Sequence, residues 1–288
     1  MDLSILDFGP AEDVVAFMSE ADSSGYRRFW LGEHHSPWQC PNPLLLGALL
    51  AATSEGIRIG SGGVCLDYRS PYQVAEDARL IELMVPGRFD FGVTRGLPLA
   101  PELRDAMLDG RPTDTLRSHD EKLSDLHGFL TGRLPAGHSL APRLLNAPGP
   151  PMWVLGTSAE PARWAGCHGT GFCFSLHHAP ADRDGPAVVG EYRRAFVPSP
   201  EFPQPAVIVV VSIASGPAIG QAPAHEPGVV KPVIHGPVAE CAAKLPEIAR
   251  RFAVDEIMIL LRSFGEMPSE TCRTLATQVG LTPRVRGE

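Results

Sequence analysis

The chain has 288 residues, of which 44% are hydrophobic, and this is enough to form the core of one sizeable domain. Its 33 acidic residues outnumber its 25 basic residues, and the net charge of -8 argues against binding to the phosphate backbone of nucleic acids. No apolar run reaches the ~18 residues of a membrane span, and the start of the chain lacks the basic residues of a secretory signal, so we expect a cytoplasmic protein with no membrane partner.

Short apolar runs rich in β-forming residues alternate along the chain with longer amphipathic segments, in about eight strand–helix units. The predicted strands span residues 3–8, 28–32, 57–64, 89–94, 152–156, 171–175, 206–213 and 256–261. The predicted helices span residues 12–23, 43–54, 71–84, 117–130, 158–167, 188–195, 238–251 and 269–279.

This alternation predicts a parallel sheet, because a crossover helix returns the chain to the same edge of the sheet. Residues 207–211 are apolar on both faces, as in a strand that is covered on both sides. About eight units favour a closed (β/α)8 TIM barrel, with an open doubly wound sheet as the alternative. The glycine-rich dinucleotide fingerprint of the open sheet is missing after the first strand, so we expect a single barrel domain over residues 1–288.

Polar and small residues follow several of the predicted strands, where the active sites of such barrels lie. In chain order they are Glu33, His34, His35, Gly62, Gly63, Thr94, Arg95, Thr157, Ser158, His177 and His178. A rim of this composition suits an anionic ligand, although we assign His177 and His178 only to a loop.

Each of these groups also has an ordinary structural interpretation. Glu33, His34 and His35 resemble part of a metal site, but adjacent histidines at a strand end point to opposite sides and no third ligand follows at a fixed spacing. We therefore predict no metal. Ser158 precedes a helix and suits a plain N-cap, yet a helix start also attracts phosphate, and Arg95 on a neighbouring strand would complete a phosphate site.

Three segments together resemble one protein family. They are ADSSGYRRFWLGEHH at 21–35, RIGSGGVCLDYRSPYQVAEDARLIELMVPGRFDFGVTRG at 58–96 and PMWVLGTSAEPARWAGCHGTGFCFS at 151–175. Each segment is weak alone, but in this order they are similar to the bacterial-luciferase-like flavin monooxygenases, especially those of antibiotic pathways.

The resemblance implies a luciferase-like barrel that uses reduced FMN, supplied by a separate NAD(P)H-dependent flavin reductase, and O2 to oxidise a small organic substrate. It places His34 on the active-site histidine, with Glu33 and His35 beside it as catalytic candidates. It places the cofactor on Gly62 and Gly63, where the family often has a non-proline cis peptide, and on Arg95, Arg117, Thr157 and Ser158. Arg95 and Ser158 fall on phosphate contacts, and Arg117 on a second phosphate-binding arginine.

One departure from the family concerns residues 214–233, a Pro- and Gly-rich stretch where relatives carry a longer segment with a mobile lid. We expect a more open site here. The shortened segment leaves a non-catalytic flavin-binding or accessory protein as one alternative to the monooxygenase. A deazaflavin-dependent reductase or dehydrogenase is a second alternative, because the resemblance implies that both cofactors occur on this barrel.

The family is usually dimeric, and residues 71–84 carry a helical stripe made of Val74, Ala78, Ile81 and Met84. We expect a homodimer built partly on this stripe. The alternative is that the stripe covers the barrel.

Overall fold

The computed structural model describes residues 1–9, 13–35, 39–96, 100–134, 140, 148–215, 233–263 and 268–284. The strands are β1 (Asp2–Asp7), β2 (Arg28–Leu31), β3 (Arg58–Ser61), β4 (Val64–Cys65), β5 (Phe89–Thr94), β6 (Met152–Gly156), β7 (Gly171–Ser175), β8 (Val207–Ser215), β9 (Ile234–Gly236) and β10 (Glu256–Ser263). The helices are α1 (Val14–Ser23), α2 (Pro43–Thr53), α3 (Pro71–Met84), α4 (Pro101–Met107), α5 (His119–Thr131), α6 (Ala159–Cys167), α7 (Gly185–Ala195), α8 (Val238–Phe252) and α9 (Pro268–Val279).

Eight of the strands form one closed parallel barrel in the order β1-β2-β3-β5-β6-β7-β8-β10. The barrel closes because β10 pairs with both β1 and β8, for example through Ile259, which lies opposite Ile5 on one side and Val211 on the other. The short strand β4 pairs with the end of β5, and β9 pairs with the end of β8. The predicted (β/α)8 barrel is confirmed.

The predicted boundaries hold closely, with three informative differences. The third predicted strand is interrupted at Gly62-Gly63, whose peptide bond is cis, and resumes as β4. Helix α5 starts at His119 because Ser118 accepts a hydrogen bond from the Glu121 backbone N–H and forms a capping box with it. Helix α4 was not predicted, since it buries none of its residues and so carries no apolar stripe.

Two tryptophans fill the interior of the barrel. The rings of Trp30 and Trp153 meet edge to face at 5.9 Å, and each lies against a glycine of a neighbouring strand. A Cβ on Gly60 would lie 2.3 Å from the Trp30 ring, and a Cβ on Gly171 would lie 2.3 Å from the Trp153 ring. No side chain fits at Gly60 or Gly171 unless the neighbouring tryptophan ring moves. A second, larger apolar layer packs the helices on the outside of the strands.

Charged residues close the amino-terminal end of the barrel. The Asp90 carboxylate of β5 accepts hydrogen bonds from Arg28 Nε at 2.9 Å, Arg58 Nε at 2.7 Å and Trp153 Nε1 at 3.1 Å. Arg28 also pairs with Glu256 at the start of β10. Burial by itself would raise the pKa of the Asp90 carboxyl, but the two arginines outweigh burial and hold this pKa below its ordinary value. Asp90 is therefore ionised in the folded protein at neutral pH.

The predicted interface stripe on α3 is wrong for three of its four residues. Val74, Ala78 and Ile81 are buried against the barrel, because this face of the amphipathic helix covers the sheet. Only Met84 of the stripe is exposed. The exposed apolar residues of this region are instead Leu80, Leu83 and Met84 of α3 together with Leu45 and Leu49 of α2.

Among the described residues, no helix combines the length and the apolar character needed to cross a membrane.

We predict that Asp90→Asn lowers the free energy of unfolding by about 3–5 kcal/mol, because the buried guanidinium of Arg28 and the half-buried guanidinium of Arg58 lose the carboxylate that they share. Chemical denaturation followed by circular dichroism measures the loss. The matched control is Glu20→Gln, which removes a carboxylate from an ion pair with the exposed Arg273 and should cost much less.

Asp90 also determines how the stability of the fold changes with pH. Since the pKa of Asp90 is lower in the folded chain than its ordinary value of 3.8, its stabilisation is present at neutral pH and is lost as the pH falls below about 4. An equally steep acid destabilisation in Asp90→Asn would contradict this assignment.

Candidate active site

The carboxyl ends of the barrel strands gather the predicted site residues at one mouth. β2 delivers Glu33, His34 and His35, β3 delivers Gly62-Gly63, β5 delivers Arg95, and β6 delivers Thr157 and Ser158. In a (β/α)8 barrel this face carries the active site, because the loops that follow the strands are free to vary there without disturbing the barrel.

Glu33 is held at this mouth by three neighbours. Its side chain is fully buried and accepts hydrogen bonds from the Cys65 backbone N–H at 3.0 Å and from Arg69, whose Nη2 lies 3.1 Å away. His35 Nε2 lies 2.9 Å from the same carboxylate. Glu33 therefore joins the loop after β2 to the segment after β4. The Arg69 partner was not visible in the sequence, since 36 residues separate the pair.

His34 presents a neutral imidazole. Its backbone N–H donates to the Cys40 carbonyl at 2.8 Å, and its ring stands edge to face with Phe8 at 5.9 Å. Burial lowers the pKa of His34, and its interaction with the neighbouring His35 lowers it further. Within the described part of the chain, the enclosed Nδ1 of His34 has no hydrogen-bond partner. A buried polar atom of this kind is costly unless a ligand or water satisfies it.

The Gly62-Gly63 segment brings bare backbone to the floor of the mouth. A Cβ on Gly63 would lie 3.0 Å from the Gly92 carbonyl oxygen, and a Cβ on Gly62 would lie 2.9 Å from the Leu6 side chain. The space behind the segment is therefore full. Neither glycine carries a side chain of its own, so a flat ring is able to approach this backbone from the mouth.

Two polar groups stand at the ends of the adjacent strands β5 and β6. Arg95 is exposed, and its guanidinium forms no ion pair with any described residue. Ser158 is the N-cap of α6, but its hydroxyl makes no capping hydrogen bond, and Thr157 beside it is half-buried. The N–H groups and the dipole of the helix start also favour an anion at this position.

Arg117 stands apart from this pair in its contacts. It lies before α5, about half of its side chain is exposed, and it forms an ion pair with Asp125 on that helix. A role in binding an anion would require Arg117 to leave or share this partner.

His177 and His178 also reach the mouth, from the carboxyl end of β7. Their rings lie 4.1 Å apart. Burial lowers the pKa of His178, and its interaction with His34 lowers it further. Sequence reasoning left this pair in a loop, because only the closed barrel brings β7 opposite β2.

A separate pocket lies at the other end of the barrel. It is lined by residues such as His127, Arg133, Met152 and His168, around the start of β6 and the ends of α5 and α6. Burial lowers the pKa of His127 to about 4, and the ring of His168 stacks on Trp164. These contacts account for His127 as a packed, neutral group and for His168 as a packed ring. In the described residues we find no group of His, Cys, Asp or Glu arranged to hold a metal ion.

We predict that Glu33→Gln lowers the free energy of unfolding by about 2 kcal/mol or more, because Arg69 and His35 lose a buried anion. Thermal and chemical unfolding measure this change. If Glu33 instead takes part in the reaction, stability will be unchanged and activity alone will fall.

Comparisons with known proteins place the chain in a family. A family model described as luciferase-like monooxygenase matches residues 5–251. The chain is 34% identical to the uncharacterized protein YceB of Bacillus subtilis over 228 residues, which are 73% of this chain and 67% of YceB. It is also 34% identical to the N-acetyl-S-alkylcysteine monooxygenase of Bacillus subtilis over 190 residues, which are 64% of this chain and 55% of that enzyme.

Among solved structures, apo-MsnO8 superposes on this chain with a TM-score of 0.80 and is 24% identical in sequence. The superposition covers 98% of this chain and 99% of the apo-MsnO8 chain. This likeness shows the shared fold. Together with the sequence matches, it shows that the chain belongs to the luciferase-like monooxygenases, a family of flavin-dependent enzymes.

Proposed function

We propose that this chain binds reduced FMN and uses it with O2 to oxidise a small organic substrate in secondary metabolism. The observation that supports the choice of cofactor is a pair of polar groups on the ends of adjacent strands, the Arg95 guanidinium and the Ser158 hydroxyl. Neither group has an ion-pair or hydrogen-bond partner among the described residues. A phosphate monoester would satisfy both groups and the start of α6 at once.

The residues present fit FMN at both of its ends. Arg95, Ser158 and Thr157 would hold the phosphate, and the bare Gly62-Gly63 backbone would carry the flat ring. Arg117 would add a second cation if it released Asp125. When bound, the reduced flavin supplies the two electrons that O2 chemistry requires.

His34 is the residue that we assign to proton transfer. Its imidazole is neutral at neutral pH, its ring packs against Phe8, and its Nδ1 has no hydrogen-bond partner among the described residues. A neutral imidazole is able to accept a proton from the substrate or donate a hydrogen bond to an oxygen atom. Glu33 and His35, the other two catalytic candidates, fit a supporting role because each is engaged by the other.

Reduced FMN would come from a separate NAD(P)H-dependent flavin reductase, as the resemblance to the family implies. The role in secondary metabolism is supported by a match of 37% identity over 116 residues to the 4-hydroxyprotoasukamycin monooxygenase of Streptomyces nodosus. That match covers 40% of this chain and 30% of that enzyme, so we propose only a small organic substrate.

The same barrel serves a second cofactor in other proteins. An FMN complex of a Baeyer–Villiger monooxygenase from Pseudomonas putida superposes with a TM-score of 0.54, and a coenzyme F420-dependent reductase from Methanopyrus kandleri with a TM-score of 0.68. Their sequence identities to this chain are 17% and 12%, so these matches support a shared fold and nothing further. A deazaflavin reductase and a non-catalytic flavin-binding protein are therefore the outcomes that the following experiments must separate from a monooxygenase.

The shortened stretch at 214–233 bears on how well the site excludes water, but residues 216–232 lie outside the described residues. A more open mouth than in relatives stays a prediction of the sequence.

For the cofactor, we predict that Arg95→Ala weakens FMN binding about ten-fold or more, because one charge-assisted hydrogen bond is lost. Riboflavin, which lacks the phosphate, should bind both proteins equally. Ser158→Ala should lower FMN affinity by several-fold through the loss of one neutral hydrogen bond. Fluorescence quenching on titration measures each affinity.

The matched control is Arg273→Ala, which removes an exposed arginine paired with Glu20 and should leave FMN binding unchanged. Tighter binding of coenzyme F420 than of FMN by the unchanged protein would favour the deazaflavin reductase.

For the chemistry, we predict that His34→Ala binds FMN within a few-fold of the unchanged protein but loses about 100-fold or more of product formation. Product is assayed by oxygen consumption and mass spectrometry with reduced FMN and candidate substrates. A collapse of FMN binding in this variant would make His34 a structural residue.

The exposed apolar face of α2 and α3 is proposed as the interface of a homodimer. Helix α2 is apolar all round, with Leu45 73% and Leu49 55% exposed, although such helices are usually buried. We predict that Leu45→Glu combined with Leu83→Glu converts a dimer into a monomer in analytical ultracentrifugation. A monomeric unchanged protein at micromolar concentration would rule this interface out.

A further inference from the structure

Phe8 stands between the first strand of the barrel and the histidine of the mouth. It follows the last residue of β1, it is half-buried, and it packs against the apolar layer inside the barrel. Its ring meets the His34 ring edge to face, with the centroids 5.9 Å apart and the planes at 80°. Sequence reasoning placed Phe8 only at the end of a strand, and the function proposed above gives it no role.

Gly32 provides the room that the Phe8 ring occupies. A Cβ on Gly32 would lie 2.1 Å from Phe8 Cε1 and 2.5 Å from Phe8 Cδ1, far closer than two carbon atoms approach in a packed interior. The Gly32 backbone N–H donates to the Asp7 carbonyl oxygen at 2.8 Å, which fixes this part of the chain beside the end of β1. A methyl group at residue 32 would therefore displace the ring.

The main chain joins Phe8 to His34 by a second route. The Cys40 backbone N–H donates to the Phe8 carbonyl oxygen at 2.7 Å, and the Cys40 carbonyl oxygen accepts a hydrogen bond from the His34 backbone N–H at 2.8 Å. The two residues are thus joined once through the backbone and once through their rings. A substitution at residue 8 removes the ring contact and leaves these backbone groups in place, so it reports on the ring alone.

The orientation of the His34 ring depends on its packing. Its enclosed Nδ1 has no hydrogen-bond partner among the residues that the structure describes. Because no hydrogen bond fixes the ring at this nitrogen, the groups that pack against the imidazole have to hold it in one rotamer. Phe8 is such a group, and it is itself held by Gly32 and by the interior of the barrel.

We propose that Phe8 is a positioning residue of the active site, which holds the His34 imidazole in one orientation and shields it from water. Phe8 has no group that exchanges a proton, so it acts through His34 alone. The inference rests on the proposed function for the reaction that His34 serves, but not for the state of the imidazole itself.

The titratable groups around His34 stay unchanged in the variants used below. The pKa of His34 is lowered by its interaction with His35, which also contacts Glu33. Burial raises the pKa of Asp7, at the end of β1, to about 7. The pKa of His178 is lowered by its interaction with His34. Since several groups titrate near the mouth, the titration of His34 itself has to be followed.

The first test needs no cofactor. The Cε1–H resonance of His34 is followed by NMR from about pH 4 to 9 in the full chain with labelled histidine, with and without Phe8→Ala. Because burial holds the pKa of His34 low, loss of the ring should raise this pKa toward its ordinary value, by on the order of half a unit. An unchanged titration in Phe8→Ala would overturn the proposal.

Gly32→Ala tests the same contact from the other side. Its methyl group has to displace the Phe8 ring, so the pKa of His34 should rise as it does in Phe8→Ala. In the double variant the ring is absent, and the methyl group should cause little further change. Additive shifts would show that the two residues act separately and would refute the contact. If Gly32→Ala does not fold, Phe8→Ala decides by comparison with its control.

The matched control is Phe196→Ala. Phe196 is also half-buried, also packs against the interior apolar layer and also meets an aromatic ring edge to face, that of Tyr192 at 5.6 Å. It follows the carboxyl end of α7, away from the mouth. The His34 titration should be the same in this variant and in the unchanged protein. A shift equal to that of Phe8→Ala would show that general loosening of the fold is the cause.

The second test measures the reaction. With reduced FMN, O2 and candidate substrates, we expect Phe8→Ala to bind FMN within a few-fold of the unchanged protein and to lose about ten-fold of product formation, because His34 is no longer held in place. Added to His34→Ala, it should cause no further loss, since Phe8 acts through His34. A further ten-fold loss would mean that Phe8 contacts the substrate directly, against the proposal.

FMN affinity is measured in parallel by fluorescence quenching. Failure of the unchanged protein to bind FMN would refute the proposed function, and the NMR titrations would then decide by themselves whether Phe8 controls the state of His34.

Discussion

One buried carboxylate fixes the frame on which the rest of the molecule depends. Asp90 of β5 binds side chains from β2, β3 and β6, and Arg28 extends the contacts to Glu256 of β10 and from there to Ser4 of β1. A slip of one residue in any of these strands would turn its side chain from the interior of the barrel to the outside. The ion network therefore sets strand register at the amino ends, while apolar packing alone would tolerate several arrangements.

Register at one end determines geometry at the other. Because β2 is only four residues long, the position of Arg28 in the network fixes where His34 emerges a few residues later. The Trp30 ring then occupies the space that Gly60 leaves empty, so β2 and β3 are locked face to face below the mouth. Glu33 plays a similar part at the carboxyl ends of the strands, where its buried carboxylate joins two loops that would otherwise be independent.

The sequence predicts this fold well because each strand and helix has its own local pattern of apolar and turn residues. The spans of α3, β5, β6 and β7 agree with prediction to the residue, since each is bounded by turn residues and carries an unbroken apolar pattern. Helix α4 was not predicted because none of its residues is buried, so its sequence shows no apolar stripe. The stripe on α3 was assigned to the wrong partner, because an apolar helix face has the same pattern whether it covers a barrel or a second subunit.

The site is less predictable, because its contacts join residues far apart in the chain. The resemblance located His34, the two glycines, Arg95 and Ser158, and the structure brings them to one mouth. It did not indicate that Arg69 would engage Glu33. This contact depends on the parallel packing of β2 beside β3, which no local window of sequence contains.

The two tryptophans and their glycines also determine how this barrel can evolve. The two indole rings pack against each other and against glycines of neighbouring strands, so a change in a loop that follows a strand leaves these contacts in place. New substrate preferences can therefore arise by insertion or replacement in the loops after β2, β6 and β7 while the frame is inherited unchanged. The glycines have no such freedom: any side chain at Gly60 or Gly171 must displace an indole ring, and descendants of this protein should keep each glycine for as long as they keep its tryptophan.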